Sequence, residues 1–475
     1  MSPLVQGAII GAMAFGLFMT GMPIAFALGL TALASIYFFL GASQFDLFGN
    51  FVFGSLNEFG LLAIPLFVLM GNLFGGSTAS QQLFQAGEAW LGKIRGGLAM
   101  SSVLASAIFA ALSGSSPATA AAIGRVAVPQ MLDRGFSGRV ATGAVAAGGT
   151  LGILIPPSVT LIIYGIAAEQ SIGQLFAAGI VPGILVTVLF CGWIYIAVSL
   201  ELRKQPVPVA ASAGSMEMTD AGAIGPAGAP GPYDSGTPVL QVPDVVGYTP
   251  PEYTWPARFK ALIQVLPFLA LIVSVLTVLY AGIATPSEAA AVGVVLVLLL
   301  VAAYRGLSAR GLLHVLRETT NQSTMILLIV AFSAVIATVL SFLRVPQELA
   351  ATIVELDINR WLVLIAINII LLLMGLFLPP VSIIVMVTPV LLPLIISLGF
   401  DPIWFGIIMT LNMEMGLITP PVGLNLFVMR GVAPQVPLKE ILLGALPYVG
   451  VLAVAILILS IFPGLVTWLP QLLYA

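Results

Sequence analysis

The sequence predicts an all-α polytopic membrane protein made of two inverted repeats, each holding a re-entrant hairpin and a broken transmembrane helix. Three observations predict it. The chain of 475 residues is 60% hydrophobic and only 7% charged, whereas soluble domains carry roughly 25% charged residues. Apolar runs long enough to cross a bilayer recur along it. And the second half repeats the break points of the first. A shift of 264 residues brings Pro129 onto Pro393, Gly135-Phe136 onto Gly399-Phe400, Gly152 onto Gly416 and Pro156-Pro157 onto Pro420-Pro421. Chance would give about 0.2 Pro–Pro matches over this window; three occur. Paired broken-helix units in a very apolar chain are the mark of a secondary transporter.

The spanning runs fall near 4–20, 23–41, 58–76, 176–200, 262–283, 286–304, 322–343 and 440–462. The first lacks a basic leader region and an A-x-A cleavage pattern, so it is read as a retained helix. Two irregular stretches, rich in Gly, Pro, Ser and Thr, hold the repeated units. The first repeat (1–204) contains a hairpin at about 97–134 and a broken helix at about 139–170. The second (258–475) contains a hairpin at about 360–398 and a broken helix at about 402–432. Amphipathic segments precede both hairpins, at 81–95 and 345–360, and suit helices lying in the membrane interface. Residues 205–257 hold ten Pro, seven Gly, five acidic residues and no Lys or Arg. Such a stretch cannot bury a core and reads as a Pro/Gly-rich linker.

Charge placement orients the chain. With the N-terminus and C-terminus outside, thirteen Lys and Arg fall on the cytoplasmic side, while Arg344 and Arg360 fall outside and Arg125 lies within the first hairpin. This is the positive-inside pattern. It makes the linker cytoplasmic and lets the two hairpins enter from opposite faces. The formal net charge of −3 suggests no nucleic-acid partner. A single cysteine, Cys191, and a single histidine, His314, exclude an intrachain disulfide and an ordinary Cys/His zinc site.

The first hairpin breaks at Ser113-Gly114-Ser115-Ser116. Either Ser115 or Ser116 can cap a new helix, and Pro117 suits its first turn. Carbonyls at the end of one half-helix can bind a cation, and N–H groups at the start of the next face an anion. The second hairpin breaks over 375–380, where Gly375 and Pro379 lie, with fewer hydroxyls and with Ser382 just beyond. Each broken helix carries a Pro pair that interrupts the hydrogen-bond ladder. Asn412, Glu414 and Thr419 are polar groups at membrane depth in the second copy, and Thr150 occupies Glu414's place in the first. Thr285-Pro286-Ser287-Glu288 reads as a capping box, so Glu288 is structural. Arg125 sits where it can snorkel toward the surface. No GxxxxGK[ST], HExxH or GxSxG motif occurs, so the chain is expected not to be an enzyme.

Five segments carry a resemblance: SGSSPATAAAIG (113–124), ILIPPS (153–158), GIATPSEAAAVG (282–293), LFLPP (376–380) and NMEMGLITPPVGLNLFV (412–428). Together they resemble the large membrane subunit of TRAP transporters, the DctM type, over the whole chain except 205–257. The resemblance implies an elevator mechanism and Na⁺ as coupling ion, with no organic cofactor. It implies a small four-helix membrane subunit (DctQ type), here unfused, and a periplasmic substrate-binding protein (DctP type). The chain would then lie in the inner membrane of a bacterial cell and import a small carboxylate, of the C4-dicarboxylate or sialic acid class. It places substrate between Ser115, Ser116, Thr119, Asn412 and Thr419. It places Na⁺ around Ser113, Gly114, Ser116, Gly149 and Gly152, and around Gly375, Pro379, Asn412 and Gly416. Two other readings stay open: a stand-alone Na⁺/dicarboxylate cotransporter of the same superfold, and a passive facilitator.

Because 205–257 lacks packing residues, deleting residues 210–248 should leave uptake and thermal stability unchanged. Loss of uptake in a deletion that still elutes as a single folded species would show the segment to be more than a spacer.

Overall fold

A computed structural model describes residues 1–204, 253–303 and 308–474. Among the described residues every regular element is a helix. Pro3–Met19 (α1) and Ile24–Ser35 (α2), the latter extended by a π-turn at Ile36–Leu40, are followed by Asp46–Leu56 (α3) and Ala63–Gly75 (α4). With its lead-in turn Phe59–Leu62, α4 is bent by 61° from α3, so the two form either a broken span or a re-entrant pair. The sequence reading found the α4 half and missed α3, whose Asp46, Gly49 and Asn50 interrupt the apolar run.

Then come Ala79–Leu91 (α5), Gly97–Ser113 (α6), Ser116–Asp133 (α7), Gly138–Thr150 (α8), Val159–Ala167 (α9) and Ile172–Lys204 (α10). The second half has Trp255–Tyr280 (α11), Pro286–Ala303 (α12), Ala309–Phe342 (α13) and Val345–Glu355 (α14). It continues with Arg360–Gly375 (α15), Pro380–Ser397 (α16), Pro402–Leu417 (α17), Leu424–Val432 (α18), Leu438–Ile461 (α19) and a short Gly464–Tyr474 (α20). Among the described residues six helices are long and apolar enough to cross a membrane: α10, α11, α12, α13, α16 and α19. The order from α5 to α10, amphipathic helix, paired helices, broken pair and long helix, recurs from α14 to α19.

Most of the linker falls outside the described residues. Its last three residues do not belong to it: α11 starts at Trp255, not Arg258, because Thr254 is extended before it and Pro256 suits the first turn.

The repeated residues are the local instructions for stopping and restarting the chain. Gly135 (φ +79°) and Gly399 (φ +76°) adopt the left-handed conformation after α7 and α16. Phe136 N–H then donates to Met131 C=O at 3.0 Å, and Phe400 N–H to Ile395 C=O at 3.1 Å. This is the same helix-ending motif twice. The next residue caps the following helix in each half. Ser137 Oγ accepts from Val140 N–H (3.3 Å), and Asp401 Oδ1 from Trp404 N–H (2.8 Å). Both proline pairs hold a cis bond. The capping box at α12 also forms: Glu288 Oε2 accepts from Thr285 N–H at 2.8 Å, and Thr285 Oγ1 accepts from Glu288 N–H at 3.3 Å.

The two halves meet at α8 and α19, where backbones touch without intervening side chains. A Cβ on Gly143 would lie 2.3 Å from Gly444 C=O, and one on Gly444 would lie 2.3 Å from Arg139 C=O. An ion pair between Arg139 and Glu440 pins the ends of these two helices, and one between Glu88 and Arg134 ties α5 to the end of α7. Tyr164 on α9 donates to Pro402 C=O at 2.6 Å, a second tie between halves.

Gly444→Val should therefore separate α8 from α19 and cost about 1–3 kcal/mol, read as a lower melting temperature in detergent. Gly450→Val, on the same helix with open space around it, should leave the melting temperature unchanged. Equal effects would show that α19 is not held by backbone contact.

Candidate functional site

The tip of the first helix pair is compact and polar. Gly114 turns left-handed (φ +58°) and Ser115 is extended, so α6 and α7 meet end to end. The carbonyls that end α6 and the N–H groups that begin α7 thus converge on four residues. Ser113 Oγ and Thr119 Oγ1 share a hydrogen bond of 2.7 Å, and Thr119 Oγ1 donates to Ser115 C=O at 2.8 Å. Ser113, Ser116 and Thr119 are buried, and Ser115 is half-buried.

Neither serine acts as the side-chain cap that the sequence suggested. Ser115 holds the cap position, with its side chain making no cap hydrogen bond. The Ser116 hydroxyl instead accepts from Asn425 Nδ2 of α18 at 2.8 Å. The same amide donates to Ala146 C=O of α8 at 3.0 Å. Asn425 thereby joins the first tip, the first broken helix and the second broken helix. The sequence reading quoted the motif containing Asn425 without singling it out. An amide between two leucines at membrane depth was the signal.

Glycines of each broken helix press on the tip of the hairpin in their own half. A Cβ on Gly152 would lie 2.9 Å from Ser115 C=O and 3.0 Å from Ser116 N; one on Gly149 would lie 2.7 Å from the Ala120 Cβ. A Cβ on Gly416 would lie 2.6 Å from Gly375 C=O. Gly152 and Gly416 are partners under the 264-residue shift, so the same backbone-on-tip contact is built twice.

The second tip is poorer in hydroxyls. Gly375 ends α15, Pro379 is extended, and α16 starts at Pro380. Asn412 is buried and donates to Asn368 Oδ1 on α15 and to Ile408 C=O at 3.0 Å. Its described hydrogen bonds stay within the second half rather than crossing to the first tip. Thr419 Oγ1 bonds back to Met415 C=O at 2.5 Å, and Thr150 Oγ1 bonds back to Ala147 C=O at 2.7 Å. By their described hydrogen bonds, Ser115, Ser116 and Thr119 belong to the first tip while Asn412 and Thr419 bond within the second half, and Asn425 links the first tip to α18. Asn368 was missed because a single amide in an otherwise apolar α15 carries no motif.

The two broken helices also differ. Pro156 and Pro157 are buried, whereas Pro420 and Pro421 are exposed. Glu414 is fully buried and neither carboxyl oxygen has a partner. Arg125 is exposed on α7, and His314 is exposed on α13. Among the described residues no three His, Cys, Asp or Glu side chains converge on a metal position. The oxygens at the tips are carbonyls, hydroxyls and amides, which suit a hard monovalent cation, and the helix starts suit a carboxylate.

Residues 11–465 match the family described as "Tripartite ATP-independent periplasmic transporter, DctM component". The chain is 37% identical to the "C4-dicarboxylate TRAP transporter large permease protein DctM" of Pseudomonas aeruginosa, over 88% of each chain. It is 29% identical to the "Sialic acid TRAP transporter large permease protein SiaM" of Vibrio cholerae, over 96% of each. Its fold is similar to the Alcanivorax borkumensis YdaH transporter, with a TM-score of 0.57 at 14% identity over 98% of both chains. These matches span nearly the whole chain, and the broken-helix motifs lie inside the matched region: the chain belongs to the DctM component family of TRAP transporters.

Proposed function

We propose that this chain is the large membrane subunit of a Na⁺-coupled, binding-protein-dependent importer of small organic acids, C4-dicarboxylates first among them. The observation that carries the reading is the duplicated contact of a broken-helix glycine on a hairpin tip, in a chain whose relatives are named as TRAP permeases. Substrate carboxylates would meet the N–H groups at the start of α7, with Ser115, Ser116 and Thr119 beside them, and Asn412 and Thr419 from the second half. Na⁺ would lie among the oxygens at Ser113–Ser116 with Gly149 and Gly152, and at Gly375–Pro379 with Asn412 and Gly416.

The physics of coupling follows from charge. A dicarboxylate entering a low-dielectric site alone faces a large desolvation cost. Cations bound at the two tips offset that charge, so loaded site and neutral site can move while the half-loaded site cannot. In an elevator cycle the two hairpins and broken helices, α6–α9 and α15–α18, would move as one body against the remaining helices. The close glycine contacts at both tips favour one rigid body. A small four-helix subunit and a periplasmic binding protein would complete the system. The two halves would sit inverted in a bacterial inner membrane, with the Lys- and Arg-rich face toward the cytoplasm.

The reading is tested by uptake of radiolabelled succinate and sialic acid into proteoliposomes holding this chain and its small subunit. Succinate uptake should require both the binding protein and an inward Na⁺ gradient. Uptake without the binding protein would instead make the chain a stand-alone cotransporter, and uptake indifferent to Na⁺ would remove the coupling. Ser116→Ala and Asn412→Ala should each raise the Na⁺ or substrate concentration for half-maximal uptake by about tenfold, the loss of one hydrogen bond or ligand of ~1.4 kcal/mol. Unchanged kinetics in both would move the site away from the tips.

A further inference from the structure

We infer that the junction of α5 and the start of α11 is a binding site for an anionic phospholipid headgroup. The observations begin with α11. Trp255, Phe259, Leu262, Ile263, Leu266 and Val273 are all exposed. Their spacing puts them on one side of the helix, opposite buried Val265, Phe268, Leu271 and Val275. From Trp255 to Val273 this apolar stripe runs about 27 Å, close to the hydrocarbon thickness of a bilayer. Its end at Trp255 and Phe259 is thus at headgroup height, where Trp is favoured and Arg and Lys snorkel.

At that end three rings and one guanidinium form a cluster. Phe259 meets Trp90 of α5 edge-on at 6.2 Å and Trp255 at 6.4 Å. The Arg258 guanidinium lies over the Trp255 ring at 5.1 Å. Its Nε is buried and has no hydrogen-bond partner. The ring holds the guanidinium in place without supplying an acceptor. Lys260, on another side of α11, and Lys93 and Arg95, just past α5, are also exposed. A guanidinium held over a ring with its buried Nε unpaired, at the edge of a lipid-thick apolar stripe, matches a phosphodiester whose acyl chains lie along α11. Arg provides a planar fork for two phosphate oxygens. A protein partner would have to cover the same rings and the same charges together; the continuity with the stripe favours lipid.

The location gives the site a consequence. The Lys93–Gly96 connection leads directly into α6, so a lipid held here bears on the entry to the first hairpin.

The test is native mass spectrometry of the delipidated full chain in detergent, titrated with phosphatidylglycerol, phosphatidylcholine or inorganic phosphate. Wild type should retain phosphatidylglycerol over phosphatidylcholine. Arg258→Gln should weaken that retention about fivefold, the equivalent of ~1 kcal/mol for one cation at a membrane surface. Arg310→Gln, which removes an exposed charge from α13, should change nothing. Trp255→Ala should act like Arg258→Gln, and elution of each variant as a single folded species controls for misfolding. Equal retention of both lipids, equal effects of the Arg258 and Arg310 variants, or an adduct formed by inorganic phosphate alone would each overturn the site. So would loss of phosphatidylglycerol binding when the small subunit is bound, because the face would then belong to a protein.

Discussion

Inside lipid, every backbone N–H and C=O must find its partner within the protein. A helix can be broken there only if something else meets the freed groups. At the first tip the Thr119 hydroxyl donates to the Ser115 carbonyl, and at both tips glycine lets another backbone pack directly against the break. Gly152 presses on Ser115 and Ser116, and Gly416 presses on Gly375. Any side chain at these positions would push the tip away and open that packing. Each broken helix and the hairpin of its own half are therefore fitted to each other by close packing.

That close fit explains why the repeat is seen at stops and starts rather than in the apolar runs. Apolar positions facing lipid or core accept many residues. A left-handed turn after α7 and α16, a cap one residue later, and a glycine contact at each tip accept few. The 264-residue correspondence survives at Gly135 and Gly399, at Ser137 and Asp401 by role rather than identity, and at Gly152 and Gly416.

The halves nevertheless diverge where a transport cycle would need them to differ. The first tip is rich in hydroxyls and tied across to α18 through Asn425. The second is built on paired amides, Asn412 and Asn368, and its proline break is open to the surface. A hydroxyl cluster bonded across the halves and an amide pair bonded within one half offer different oxygen sets. Equivalent affinity at the two tips is not what this chemistry favours.

The sequence by itself determined the class of protein and the residues at which its helices stop and restart. Composition forces a membrane setting, and Pro, Gly and capping residues act over a few neighbours, so their effects are local and legible. Helices end or begin at Ser113, Ser116, Gly375 and Pro380, where Gly, Pro and Ser interrupt the apolar runs. Local signals also misled: Ser116 had the look of a cap, and only the folded chain turns its hydroxyl to Asn425. The α3 half was hidden by its polar residues, and the start of α11 by the composition of the preceding linker. What the tertiary structure alone decided is which distant groups meet. Asn425 lies 309 residues from Ser116 and Tyr164 lies 238 from Pro402. No local propensity encodes such pairs, because they arise from backbones drawn together by glycines on helices far apart in the chain.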